Sequence, residues 1–295
     1  MPIALLSCRV QLASRPSVSR YYQDIDQPHI DYELVPIRGT YLWVRGPAID
    51  RSRPYIACVG AAQTFGRFCA RPFATLLGEK LGLPVLNLSD GGVGPGWVEN
   101  PAFLEVLNGA RLVVAQVLSA RSEGNSLFDN SATGGHLGKR RSDGKQMTFA
   151  EFFEDVVRTG PTETVERVVA ETRDNFVRHT TQVLAKIHSP KVLLWFSSRK
   201  PDYSDRPGSS YGYLSDYPHF VNRAMIEKLR QQADGYVECT SREGLPQRLW
   251  AASAAIEGAK LNGDHLENHY YPSPQMHTLA ATMLEPACRD LLSRT

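Results

Sequence analysis

Apolar and polar positions along this chain fall into blocks whose period changes. Tyr55–Val59 is a short apolar run bounded by Pro54 and Gly60, too brief for a helix and suited to a strand. Phe73-Ala74-Thr75-Leu76-Leu77 has helical spacing and predicts a helix over roughly 70–81. Gly82 and Pro84 then turn the chain into a second strand, Val85–Leu88. A glycine-rich loop (Asp90–Gly96), a short helix over 101–108 and a third strand, Leu112–Leu118, come next. Helical periodicity returns over 162–187, where Thr162 or Thr164 can cap the first turn. Pro190 ends that segment, and Lys191–Ser197 reads as a fourth strand. A helix over 219–233, a strand at Tyr236–Cys239 and a helix beginning near His277 complete the pattern.

Unbroken apolar strands interleaved with helices predict parallel strands covered on both faces. The expectation is an α/β protein, a three-layer α/β/α sandwich with a mostly parallel sheet spanning 54–295. A lead-in segment, 1–53, precedes it, and Tyr32–Val44 within it predicts a strand or two. Three stretches break the rhythm: a polar segment at 120–148 carrying Lys139-Arg140-Arg141, a second irregular loop at 198–217, and a Tyr/His-rich loop at 263–275. A loop as long as the first reads as a lid or as partly disordered. There is no internal repeat or interdomain linker.

Composition alters this little. At 295 residues with 42% hydrophobic and 22% charged residues, the chain is ordinary for a soluble globular protein. A net charge of +2 gives no reason to expect nucleic acid or a membrane as partner. Arg9, Arg15 and Arg20 follow the apolar N-terminal residues, the wrong order for a secretory signal, so a cytoplasmic location is expected. The five cysteines form no CxxC pair and read as buried thiols in a reducing compartment. No metal site or cofactor is expected, since Gly91-Gly92-Val93-Gly94 fits neither a phosphate loop nor a dinucleotide fingerprint.

The turn after the first strand reads Gly60-Ala61-Ala62-Gln63-Thr64-Phe65-Gly66. It resembles the Gly-Asp-Ser-x-Thr-x-Gly block of the SGNH (GDSL-type) hydrolases, with Ala61 and Ala62 where that family has Asp and its nucleophilic Ser. Asn87-Leu88-Ser89-Asp90-Gly91-Gly92 is similar to the second block, with Gly92 matching the oxyanion-hole glycine. No Asn stands in register for the third block, where Ser119, Arg121 and Ser122 occur instead. Asn268-His269-Tyr270-Tyr271-Pro272 resembles the last block in spacing, with Asn268 at the Asp position, Tyr271 at the His position and His277 matching a second, non-catalytic His. The resemblance implies an SGNH/flavodoxin-like sandwich whose triad is degenerate. A hydroxyl nucleophile needs a base and the base an orienting carboxylate, so ordinary serine-esterase chemistry is not expected.

Candidate ligand-binding residues are Gln63, Thr64, Arg67, Gly92, Arg121, Asn125, Asp264 and Tyr271. Arginine suits carboxylate, phosphate or sulfate through its fork of donors. A single surface Arg, Arg71 for example, is more often merely solvated, and so is Lys139-Arg140-Arg141. Ser119, Ser122 and Ser126 suit ligand oxygens, but none is a nucleophile without a placed base. His277 either packs against the last helix or faces the site, and His265 and His269 lie in a loop that can approach it. Trp97 and the Tyr-rich loops lend some support to a sugar-type ligand, although Trp97, Trp195 and Phe196 equally suit core or wall positions.

Three readings remain open. The first is a binding or repurposed domain holding a polar, glycan-type or anionic small ligand, unreactive to fluorophosphonate probes. The second is a group transferase in which Arg67, Arg121 and backbone donors hold a sulfate, phosphate or acyl donor. The third is a hydrolase with a relocated dyad, with catalytic candidates His269 or His277 as base and Ser122 or a water as nucleophile. Oligomeric state is not legible.

Overall fold

Alternate residues of a strand point to opposite faces, so strands that are apolar throughout need cover on both sides. In this computed structural model, which describes residues 18–38, 40, 42–130, 135–251, 256 and 258–294, five such strands form the central sheet. They are β1 (Ile56–Val59), β2 (Val85–Asn87), β3 (Leu112–Gln116), β4 (Lys191–Ser197) and β5 (Gly235–Thr240). All run parallel, in the order β2-β1-β3-β4-β5. On one face Ile56, Cys58, Val114 and Phe196 pack beneath helices Phe73–Leu81 and Pro274–Ser293. On the other, Ala57, Val59, Val113 and Trp195 share a core with helices Pro101–Asn108, Phe149–Thr159, Thr162–Ala185 and Arg223–Arg230. The chain therefore forms the expected α/β/α sandwich around a parallel sheet.

From β1 the chain steps to β2 at the sheet edge, and then β3 returns to the opposite side of β1. Growth continues from β3 in that direction. At such a reversal the loops leaving the strand C-termini diverge and open a crevice. Ala61–Gly66 leaves β1 here, Leu88–Gly94 leaves β2 and Val117–Ser122 leaves β3.

Differences from expectation lie in the connections. The helix expected from 70 starts at Phe73, with Pro72 as its N-cap residue. The 120–148 segment is no plain loop: strands Phe128–Asp129, Leu137–Arg140 and Gln146–Thr148 form an antiparallel sheet, with residues 131–134 outside the described residues. Thr148 then opens the unforeseen helix Phe149–Thr159, where it and Glu151 make a reciprocal capping box. The 198–217 loop holds a short helix, Ser210–Leu214. The helix expected over 219–233 contracts to Arg223–Arg230, because the Asn222 side chain caps it by accepting from the Met225 N–H. The 263–275 loop supplies strand His265–Asn268, paired on both sides with Ala259–Asn262 and Gln247–Ala251.

In the lead-in segment, Val35–Pro36 pairs antiparallel with Trp43–Val44, as the aromatic pattern suggested. Helix Val18–Asp26, not foreseen, precedes them, and the Asp90 carboxylate accepts from the backbone N–H groups of Val18 and Ser19. Burial nevertheless pushes the Asp90 pKa up to about 7. The N-terminal signal reading and Cys8 fall outside the described residues. Cys58, Cys69, Cys239 and Cys288 are buried free thiols. Among the described residues no helix is long and apolar enough to cross a membrane.

Candidate functional site

The crevice at the reversal is a cavity of about 90 Å³. Its floor is Ala62 and Gln63 from the turn after β1, with Gly91 and Gly92 from the loop after β2. Ser119, Arg121 and Ser122 come from the end of β3. Tyrosines 22, 217, 270 and 271 and the His136 imidazole close it. A water needs about 10–15 Å³ on a comparable measure, so the cavity takes a group of several heavy atoms and not a chain of sugar rings.

Two glycines let the backbone make this shape. A Cβ on Gly60 would sit 2.4 Å from both Gln116 Oε1 and Thr64 Oγ1. That closeness lets Gln116 Oε1 accept from the Ala61 N–H at 2.9 Å and the Thr64 hydroxyl at 2.6 Å, which staples the turn to β3. Asn87 adds a second tie, donating from Nδ2 to the Thr64 carbonyl at 2.9 Å. Gly92 has φ +70°, the left-handed region, and a Cβ there would meet the His136 ring at 2.6 Å.

Three groups give the cavity chemical character. Arg121 makes no ion pair, and its guanidinium no hydrogen bond, with any described residue. Gln63 is 3% exposed, and its Oε1 is buried without a hydrogen-bond partner. Ser119 Oγ lies 3.2 Å from His219 Nδ1. Burial, helped by the nearby Arg121 and Arg199 charges, pulls the His219 pKa well below its ordinary value, so its ring is neutral at pH 7. A neutral imidazole with its proton on Nε2 offers Nδ1 as acceptor for the Ser119 hydroxyl.

Gln63, Gly92, Arg121 and Tyr271 of the expected binding set thus share one cavity, with Ser122 beside them. The others are elsewhere, for identifiable reasons. Thr64 spends its hydroxyl on Gln116. Arg67 is fully buried against Asp26, with its guanidinium 3.8 Å from the centre of the Tyr22 ring, so it belongs to the core. Asn125 accepts from the Leu127 and Phe128 N–H groups and donates to Thr172, which makes it a loop staple. Asp264 is solvent-exposed in a hairpin turn beside His265.

The catalytic candidates are likewise redistributed. His277 is fully buried, stacked on Phe73, and its Nδ1 accepts from the Phe73 N–H at 3.0 Å. Burial holds its pKa down to about 3. It packs the last helix and does not face the cavity. His269 lies beyond Gln63 in a smaller second cavity and pairs with Glu267. Ser122 donates its hydroxyl to the Ser119 carbonyl at 2.9 Å, which leaves it no base. Trp97 donates to the Leu88 carbonyl and packs on Phe103, so it is not a cavity wall. Arg140 and Arg141 pair with surface carboxylates.

Neither His219 nor His136 is among the sequence-based candidates. His219 falls at the start of the helix expected over 219–233, whereas the Asn222 side chain, a ready cap, starts the helix four residues later. No sequence signal places His136 against Gly92; the antiparallel bridge Val93↔Gly135 does so.

Residues 21–130 and 146–292 match the model of a domain of unknown function, DUF6473. The chain belongs to that family. No curated protein matches it. Among solved structures, this DUF6473 chain is similar to an extracellular lipase from Streptomyces rimosus, at 12% identity and TM-score 0.42, covering 81% of this chain and 100% of the lipase. It is also similar to phospholipase A1 from Streptomyces albidoflavus, at 10% identity and TM-score 0.44, covering 80% and 98%. A third is an acetyl xylan esterase from Butyrivibrio proteoclasticus, at 13% identity and TM-score 0.43, covering 85% and 67%.

A wider open groove in the DUF6473 chain runs past Ser122 and holds His179 between two carboxylates, Glu123 and Glu99, each at 3.0 Å. The hydrogen bond and charge of Glu123, joined by Glu99, raise the His179 pKa to about 9 against partial desolvation. The folded state therefore holds a proton that the unfolded chain releases near pH 6.5. This contribution is complete below that pH and disappears as pH rises through about 9. His179→Gln should cost about 1–2 kcal/mol at pH 6 and much less at pH 10. Urea unfolding of both proteins at the two pH values checks this; a deficit independent of pH would show that the charge is irrelevant.

Proposed function

We propose that this protein binds a small ligand through an anionic group seated against Arg121, and that the turn after β1 supplies shape and no nucleophile. The observation that carries the reading is a guanidinium without a carboxylate partner among the described residues, lining a cavity beside a buried, unpartnered Gln63 oxygen. An unneutralised arginine at the mouth of a crevice attracts anions and can hold carboxylate, phosphate or sulfate through two parallel hydrogen bonds. The methyl group of Ala62 lies on the cavity floor where the resemblance to SGNH hydrolases would put the attacking hydroxyl. This supports a degenerate triad, as does the placement of Tyr271, whose hydroxyl meets Arg67 at 3.3 Å and whose ring packs on Phe68. A transferase that holds its donor on both Arg67 and Arg121 is less favoured, since Arg67 lies in the core.

Thermal shift with phosphate, sulfate and short carboxylates tests the reading. An anion present at about 100 times its Kd stabilises by roughly 2.7 kcal/mol, an upward shift of about 5 °C or more. Arg121→Ala should abolish the shift without lowering the stability of the free protein. Absence of a shift with every anion, or an equal shift in Arg121→Ala, overturns the reading.

A further inference from the structure

We infer that Ser119 and His219 are the nucleophile and base of an acyl-transfer site acting on a short-chain ester, an inference that rests on the cavity being the ligand site. The pair is built from two directions. Ser119 lies on the segment leaving β3, and its backbone neighbour Ala120 donates to the His219 carbonyl at 3.1 Å, which locks the two segments side by side. The imidazole is then held between rings: it stacks on Tyr270 at 29° and meets Tyr217 edge-on at 88°. Its Nδ1 has the Ser119 hydroxyl within hydrogen-bonding reach, the arrangement a serine needs to lose its proton as it attacks. The Arg121 N–H points at the same Oγ, at 3.4 Å, and favours negative charge developing there.

The chemistry balances without any group from outside the protein except water. Ser119 Oγ attacks the ester carbonyl carbon while its proton passes to His219 Nδ1. The C–O bond to the alcohol then breaks, and the imidazolium returns the proton to the departing alkoxide, leaving an acyl-serine. Water attacks that carbonyl, giving one proton to His219, and the acid leaves as Ser119 Oγ regains the proton. The room beside Ser119, about 90 Å³, admits an acyl group of a few heavy atoms. Gln63, Tyr217 and Tyr270 also line the second cavity, which places room for the alcohol portion next to the acyl space. Arg121 then meets an anionic substituent of the ester, in keeping with the proposed function.

A purely structural role is the competing account, because Ser119 also caps the turn Ala120–Ser122 through its Oγ. The unaltered protein is treated with a small dialkyl fluorophosphate, whose P–F bond breaks as the serine oxygen bonds phosphorus and fluoride leaves with the displaced proton. Peptide mass spectrometry should place the adduct on Ser119. His219→Gln, which keeps a hydrogen-bonding group but no base, should slow labelling about 100-fold or more. Ser119→Ala should remove the adduct. No adduct on Ser119 while the Arg121-dependent shift is present overturns this inference and leaves the binding reading intact. Labelling at full rate in folded His219→Gln overturns the pairing. Labelling of Ser119 without any anion shift removes the binding reading and leaves the pair standing.

Discussion

Asn268→Asp should destabilise the protein by about 2–4 kcal/mol at pH 7, although it installs the acid that the SGNH resemblance would place there. Asn268 is fully buried and uses its entire hydrogen-bonding capacity. Its Oδ1 accepts from the Tyr270 and Tyr271 N–H groups at 3.0 and 2.8 Å. Its Nδ2 donates to the Tyr271 carbonyl at 2.8 Å and to Gln247 Oε1 at 3.1 Å. A carboxylate keeps the first pair and turns the second into two oxygen–oxygen repulsions, with a desolvated charge added. Burial and those carbonyls raise the folded pKa of the new acid above its unfolded value of about 3.9, so the folded state prefers it protonated. The deficit should therefore be small below pH 4 and grow as pH rises past that value. Urea titrations at pH 4 and pH 7 decide it. Equal stability at pH 7, or a deficit that grows on acidification, would mean that the amide is not the group this pocket requires.

The same residue shows how far sequence reading reaches. Strands β1, β3 and β4 are legible because each is built on a continuous apolar run, and burial on both faces leaves no other use for such a run. The turn at Gly60 and the glycine at Gly92 were legible because close approach and positive φ exclude other residues there. Spacing, however, marks a position without saying which way a side chain points. Thr64 and Arg67 lie in the right turn and face inward, where Gln116 and Asp26 hold them. Arg121 faces the cavity from an equally plain context. The Ser119–His219 contact joins residues 100 apart, so no local pattern can announce it. The antiparallel additions at 128–148 and 247–268 were hidden for a related reason: their strands run from two to five residues and are held by pairing more than by apolar content.

Arg45→Met should be the most damaging single change outside the central sheet, lowering stability by about 3–5 kcal/mol. Arg45 is 3% exposed, and burial lowers its pKa, yet it has no need of a carboxylate. Its Nη1 donates to the carbonyls of Phe65 and Gly66 at 3.1 and 2.9 Å, and its Nη2 to those of Cys69 and Ala70 at 2.9 and 2.8 Å. The guanidinium also lies 4.8 Å from the centre of the Tyr32 ring. One side chain therefore donates to four carbonyls in and after the short helix Ala62–Phe65, of which the Gly66 carbonyl also accepts from the Cys69 N–H at 3.1 Å. Methionine fills the volume and supplies no donor. Lysine keeps the charge, but its ammonium cannot span four acceptors in a plane, so Arg45→Lys should recover less than half of the loss. Because these carbonyls follow directly on Ala62 and Gln63, the cavity floor should loosen with them. Any anion-induced thermal shift should then weaken in Arg45→Lys even at temperatures where that variant is folded. A variant that is destabilised yet binds anion with unchanged affinity would show that the floor is held by Gln116 and Asn87 alone.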